Sequence, residues 1–185
     1  MRGKKKSMLF TELANYFEKL EATSSRLALI DILAELFKKV SKNEVDKVIY
    51  LTQGRIAPFF APIEIGMADK NVASAIAMAY GSDKEAVLKF YAKLGDMGLV
   101  ALQQSEKFKV KSSKLTIVEV FGVLTEIAKT TGEGSVEKKQ ILLADLLKKM
   151  DPTTAKHLVR VPLGNTRLGI GDPTILDGLA LAILG

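Results

Sequence analysis

The sequence contains no cysteine and no tryptophan, a single histidine, five prolines and only 6% aromatic residues. Without cysteine there can be neither a disulfide framework nor a thiolate metal site, and a reducing, intracellular setting is expected. No apolar run reaches the length of a bilayer span. The basic opening "MRGKKKS" is not followed by a signal-peptide core, because Met8-Leu9-Phe10 gives way at once to Thr11-Glu12; no membrane partner is expected. So few rings argue against a base-stacking platform for single strands. The chain has no GxxxxGK[ST] phosphate loop. His157 lies in "AKHLVR", inside a helical stretch with no carboxylates at metal spacing, and reads as a packing or surface residue. Asp31, Asp145 and Asp172 read as helix-face or cap residues. No nucleophile–base pair is evident, so no catalytic residue and no metal ligand is assigned.

What is present is apolar and basic. Of 185 residues, 48% are apolar, and 27 Lys and Arg against 21 Asp and Glu give a net charge of +6. The length suits one compact domain, and the charge favours an anionic partner. The dominant period is helical: Leu9, Leu13, Phe17 and Leu20 in one segment, Leu29, Leu33, Leu36 and Val40 in the next, the latter with N-cap chemistry at Thr23-Ser24-Ser25. Further helices are expected at Asn43–Thr52, Lys70–Tyr80, Asp83–Leu94, Thr116–Thr130, Ser135–Met150, Pro152–Leu163 and Pro173–Leu184. "GDMGLVALQQ" reads as a turn and short helix, and "SEKFKVKSSK" as a lysine-rich connector. Val161-Pro162 should end the helix before it early, because proline lacks the N–H that helix continuation needs. The fold class expected is all-α, with about ten short helices.

The chain also resembles itself. At an offset of 110, Ser25, Leu33, Ala34, Leu36, Lys38 and Lys39 meet identical residues at 135, 143, 144, 146, 148 and 149, and Gly54 meets Gly164. Beyond that glycine the offset becomes 103: Gly66 meets Gly169, Asp69 meets Asp172, and Ala77 and Ala79 meet Ala180 and Ala182. Before Ser25 it is 107, pairing Phe10, Leu13, Phe17 and Leu20 with Ile117, Val120, Leu124 and Ile127. Two pseudo-two-fold halves, about 8–80 and 115–185, are therefore expected, with a connector over 81–114 and a flexible basic start over 1–7.

Two related halves can present equivalent loops to the two strands of a duplex. Helix N-termini attract phosphate: Thr23, Ser24, Ser25 and Arg26 open one helix, and Gly132, Gly134, Ser135, Lys138 and Lys139 surround the start of its counterpart. A second pair of turns carries Gly54, Arg55 and Gly66 in one half, and Gly164, Arg167, Gly169 and Gly171 in the other. Glycine there would let the backbone enter a narrow groove while arginine reaches phosphate. Singly, each feature also reads as an ordinary cap.

The segments "YLTQGRIAPFFAPIEIGMADK", "GDMGLVA", "TIVEVFGVLTEIAKTTGEGSVEKKQILLADLLKKMDPTTAKHLVRVPLG" and "RLGIGDPTILDGLA" resemble the N-terminal DNA-binding domain of archaeal and eukaryotic ATP-dependent DNA ligases, with the archaeal branch closer. The likeness runs from about Met8 to the end of the chain. It implies an all-helical domain with internal pseudo-two-fold symmetry that grips nicked duplex DNA across the minor groove, acting as a monomer with the catalytic domains of the same ligase. It places DNA contacts at Thr23–Arg26, Gly132, Gly134, Ser135, Lys138, Arg167 and Gly169. Where the family usually reads Gly-Lys-Leu-Arg, this chain has Gly164-Asn165-Thr166-Arg167, one basic residue fewer. The catalytic lysine of the family belongs to a Lys-x-Asp-Gly motif, which does not occur here. The resemblance thus assigns ATP and magnesium to a catalytic part beyond this domain, and no cofactor to these residues. Some archaeal relatives bind a sliding clamp through a Gln-containing segment ending in paired Phe. Here "QQSEKFKVKSSK" offers Gln103 or Gln104 with Phe108 but no aromatic pair, and a solvated linker is expected. The alternative function is a protein-interaction scaffold docking a clamp or the catalytic domain.

Overall fold

The computed structural model describes residues 6–111 and 114–185; most of the basic start and Ser112-Ser113 of the expected connector lie outside the described residues. Ten helices follow in order: α1 (Phe10–Glu21), α2 (Arg26–Lys39), α3 (Val45–Thr52), α4 (Asp69–Tyr80), α5 (Lys84–Leu94), α6 (Met97–Glu106), α7 (Ile117–Lys129), α8 (Ser135–Leu147), α9 (Pro152–Arg160) and α10 (Asp172–Leu184). Among the described residues there is no strand, only one antiparallel bridge between Leu9 and Thr116. The all-α expectation is met.

Local chemistry sets the helix limits. Asp83, Asp96 and Asp151 each accept a hydrogen bond from the first turn they precede, and Thr116 and Glu119 close a reciprocal capping box on α7. Proline acts as expected: α9 stops at Arg160, and Val161 and Pro162 are buried in the turn beyond. The turns after α3 and α9 are built alike. Gly54 N–H donates to Leu51 O and Arg55 N–H to Tyr50 O; Gly164 N–H donates to Val161 O and Asn165 N–H to Arg160 O. Each is a Schellman closure around a glycine at positive φ, +70° and +67°.

The helices pack in reciprocal pairs. α2 lies on α10 and α8 on α4; α1 lies on α9 and α7 on α3. At the centre, Phe10 N–H donates to Leu115 O and Ile117 N–H to Met8 O, both at 2.9 Å. The donors are one aligned pair of the sequence repeat, and the acceptors are separated by the same 107 residues. Phe10, Leu13, Phe17 and Leu20, together with Ile117, Val120, Leu124 and Ile127, are all essentially inaccessible to solvent. The likeness fails where the surroundings differ. Ala77 on α4 is buried but Ala180 on α10 is exposed, because α5 and α6 pack over α4.

α6 also lies along α9, which corrects the expectation for "QQSEKFKVKSSK". Gln104 and Ser105 are buried within α6, whereas Gln103 and the stretch from Glu106 to Lys109 are exposed. The apolar spacing of Met97, Val100 and Ala101, all buried, is what draws this short helix inward.

Two helix pairs approach so closely that only glycine fits. A Cβ on Gly98 would lie 2.6 Å from Arg160 Nε and 2.8 Å from Lys156 O; one on Gly178 would lie 2.7 Å from Leu33 Cβ. Gly98→Ala and Gly178→Ala should each lower stability by about 1–3 kcal/mol through overpacking. Gly122→Ala, on α7 with nothing within 4 Å of the added atom, should be neutral or stabilising by up to ~1 kcal/mol. Urea unfolding of the three variants checks the contrast.

Candidate nucleic-acid interface

The two glycine turns expected to act together are in contact. A Cβ on Gly54 would meet Gly164 C at 3.1 Å, and Thr166 Oγ1 donates to Thr52 O at 3.1 Å. Gly54, Arg55, Gly66 and Gly164 line one open cleft. Gly66 and Gly169 have positive φ, a conformation that favours glycine, whereas Gly171 has φ −97° and serves as the N-cap of α10.

The two arginines of these turns are not free. The Arg55 guanidinium carbon lies 3.1 Å from the centre of the Phe59 ring. Arg167 has a positive φ of 58°, and its side chain, 43% exposed, reaches back to the α5–α6 turn. There it donates to Gly95 O, with Nε 3.6 Å from Asp96 Oδ1. It is a surface cation held in place rather than one that sweeps freely.

The helix starts differ from each other. Ser25 is the N-cap of α2 and accepts from Ala28 N–H, while Thr23 Oγ1 accepts from Ser25 N–H. Arg26 is exposed and paired with Asp177 of α10 at 2.8 Å, which joins this start to the second turn of α10. Ser135, aligned with the cap Ser25, is the first residue of α8, where the sequence placed the start of this helix. Gly134 precedes it as the cap, at φ 73° and with no side-chain bond to the helix. A Cβ on Gly132 or Gly134 would meet nothing within 4 Å, so this backbone is bare. Lys138 is 59% exposed and 3.5 Å from Glu126. It lines a shallow second concavity with Thr130, Gly134 and Ser135. Lys139 is half-buried, beside Gln140, which bonds Asn71 of α4. Ser135 N–H donates to Gly132 O; the helix N-terminus beyond it, with an adjacent hydroxyl and a cation, can hold a phosphate.

Comparison with known proteins settles what kind of chain carries these turns. The family model described as DNA ligase N terminus matches residues 9–180. The chain belongs to this DNA ligase family. It is 46% identical over 175 residues to a probable DNA ligase of Dictyoglomus thermophilum, covering 95% of this chain and 30% of that protein. It is 44% identical to a DNA ligase of Saccharolobus solfataricus, covering 96% of this chain and 31% of the relative. The chain thus spans about a third of the length of the ligases it matches. Among the described residues no helix of this ligase domain is long and apolar enough to cross a membrane.

The domain also holds a buried charge cluster that was not evident in the sequence. Arg160 of α9 is 2% exposed, yet it donates from Nη1 and Nη2 to Glu21 of α1, at 2.8 and 3.0 Å, and also to Asp96. Lys156 pairs with Glu18 and, at 3.1 Å, with Glu21. His157 Nε2 lies 2.7 Å from Glu18 Oε1, and its ring meets Phe17 edge-on. This overturns the expectation that no carboxylates accompany His157: Glu18, Glu21 and His157 bring possible ligand atoms within 4.8 Å of one another. The Lys156 ammonium already sits on both carboxylates, so the cluster carries its own cation and reads as an ion-pair network.

The network makes stability depend on pH. Burial would raise Glu21, but hydrogen bonds and charge from Arg160 and Lys156 outweigh it and hold its pKa down to about 2. Glu18 and Asp96 are lowered for similar reasons, against the same cost of burial. Burial pushes His157 down to about 4, with the Glu18 hydrogen bond opposing and the neighbouring Lys156 and Arg160 charges adding to the shift. Below its ordinary value of 6.5 the unfolded chain takes up a proton at His157 that the folded chain refuses, so stability falls from pH 6.5 to about 4. The depressed carboxylates extend the loss from their unfolded values near 4.5 down towards 2. The His157 part amounts to on the order of 3 kcal/mol. Unfolding midpoints measured from about pH 7.5 to about 4.5 should drop steadily, and His157→Gln should flatten that slope.

Proposed function

We propose that this chain is the duplex-gripping module of an ATP-dependent DNA ligase serving replication, repair and recombination inside the cell. Its ligand is nicked double-stranded DNA, held across the minor groove through phosphates and sugars and largely without regard to sequence. The observation that carries this reading is the DNA ligase family match over residues 9–180. The geometry supports it: bare glycine backbone at Gly132, Gly134, Gly164 and Gly169, with Lys138, Arg167 and Arg26 at the surface beside these turns or the opening of α2.

The two halves, with α5 and α6 between them, are related by a local dyad in this reading. Support comes from the reciprocal packing of α2 on α10 and α8 on α4, and from the paired bonds Phe10–Leu115 and Ile117–Met8. A duplex has local dyads of its own, so matching turns reach opposite strands. ATP and magnesium serve a catalytic part bearing Lys-x-Asp-Gly, and these residues supply no step of that chemistry. Clamp docking through "QQSEKFKVKSSK" finds little support, because Gln104 is buried and the remaining Gln103 and Phe108 lack an aromatic pair.

Binding should weaken steeply with salt as phosphate contacts release counterions. Lys138→Ala combined with Arg167→Ala should lower affinity for a nicked duplex and reduce the salt slope by about two, at roughly 0.9 for each phosphate no longer neutralised. Fluorescence anisotropy at several salt concentrations measures both. Unchanged affinity and slope would refute the site, and absence of duplex binding even at low salt would favour a protein scaffold.

A further inference from the structure

The loop between α3 and α4 places phenylalanine where a soluble protein has little reason to. Ala61 N–H donates to Pro58 O at 3.0 Å, closing a turn whose two corners are Phe59 and Phe60. Turn corners usually carry Gly, Asn, Asp or Pro. Here they carry two rings, 77% and 90% exposed, and Phe60 is the most exposed large apolar side chain among the described residues. Ile56, Ile65 and Met67 of the same loop are buried and root it in the core, while Ile63 is 37% exposed, far less than either ring. Pro58 and Pro62 bracket the tip and restrict its backbone. Arg55, stacked on Phe59, braces it from one side and adds a positive charge. The tip is therefore a preorganised apolar point on a rooted stem, and it rises from the cleft that Gly54, Gly66 and Gly164 line.

The second half has no such tip. Between Gly54 and Gly66 lie eleven residues; between the aligned Gly164 and Gly169 lie four, none aromatic. The change of offset from 110 to 103 is this seven-residue difference.

We propose that Phe60, backed by Phe59, is a wedge that enters the minor groove and leans against one base step of the duplex. The proposal rests on the duplex-binding reading and assigns it a feature that phosphate contacts cannot supply. Backbone contacts repeat along DNA and let a protein slide, whereas an apolar side chain pressed between bases fixes one position. A step beside a strand interruption opens more easily, because one backbone no longer holds it closed. A wedge on one half alone also gives the symmetric grip a direction along the duplex.

The test uses this chain with intact and nicked duplexes carrying 2-aminopurine at successive steps. Binding of the unaltered chain should raise 2-aminopurine fluorescence at one step, more strongly in the nicked duplex. Phe60→Ala should abolish that rise and weaken binding about tenfold, with the salt slope unchanged because no charge is removed. Since Phe60 makes almost no contact within the fold, its replacement should leave the unfolding midpoint unaltered. If the unaltered chain binds duplex with a normal salt slope but Phe60→Ala matches it in affinity and fluorescence, the wedge is overturned and duplex binding stands. If the unaltered chain does not bind duplex, both fall, and the exposed pair is left to a protein partner.

Discussion

A guanidinium sealed inside the protein is the constraint on which most of this domain rests. Arg160 cannot lose its proton and cannot reach water, so its charge must be answered within the fold. Glu21 answers it from α1 and Asp96 from the start of α6, which locks α9 between two helices far away in the chain. Gly98 is glycine because Arg160 and the α9 backbone occupy the space a methyl group would need. The same Asp96 receives Arg167 at the surface. One buried cation thereby sets the position of an exposed one, and the interior and the candidate interface share a carboxylate.

The helices were largely legible because their signals are local. Thr116 and Thr130 bound α7 at the residues where the apolar period begins and ends, and Pro152 and Pro162 bracket α9. The repeat located core positions correctly along α1 and α7. Alignment alone does not carry burial across to Ala180, because its partner Ala77 lies under α5 and α6, which pack on α4. The charge cluster was illegible for a different reason. Glu18 and Glu21 form one polar step on α1, and Lys156, His157 and Arg160 another on α9; each alone looks like an ordinary solvated face. Their matching three- and four-residue spacings with opposite charge were the available signal. No period could show that Arg55 folds onto Phe59 or that Arg167 reaches back to Gly95, since both lie in irregular turns.

The candidate interface follows the same division. Glycines at 54, 66, 132, 134, 164, 169 and 171 were legible as places where the backbone can come close to a partner, and all but Gly171 have positive φ. What the sequence could not convey is which cations are held and by what. Arg26 leans on Asp177, Lys138 on Glu126, and Arg167 on Asp96. The Arg26 and Lys138 pairs are exposed on both sides and each stabilises the fold only slightly, and Arg167 meets a buried Asp96 that Arg160 already answers. A phosphate can therefore compete for the cation at little cost, while the pairing keeps the side chain near its place beforehand.

The contact between Gly54 and Gly164 also bears on how such a protein can change over generations. Each glycine closes its own helix, yet the two turns touch where neither carries a side chain. A larger residue at position 54 would press on the opposite half as well as strain its own turn. The constraint is one-sided: a Cβ on Gly164 would meet nothing within 4 Å, so that position answers only to its own left-handed backbone, whereas position 54 answers to both turns at once.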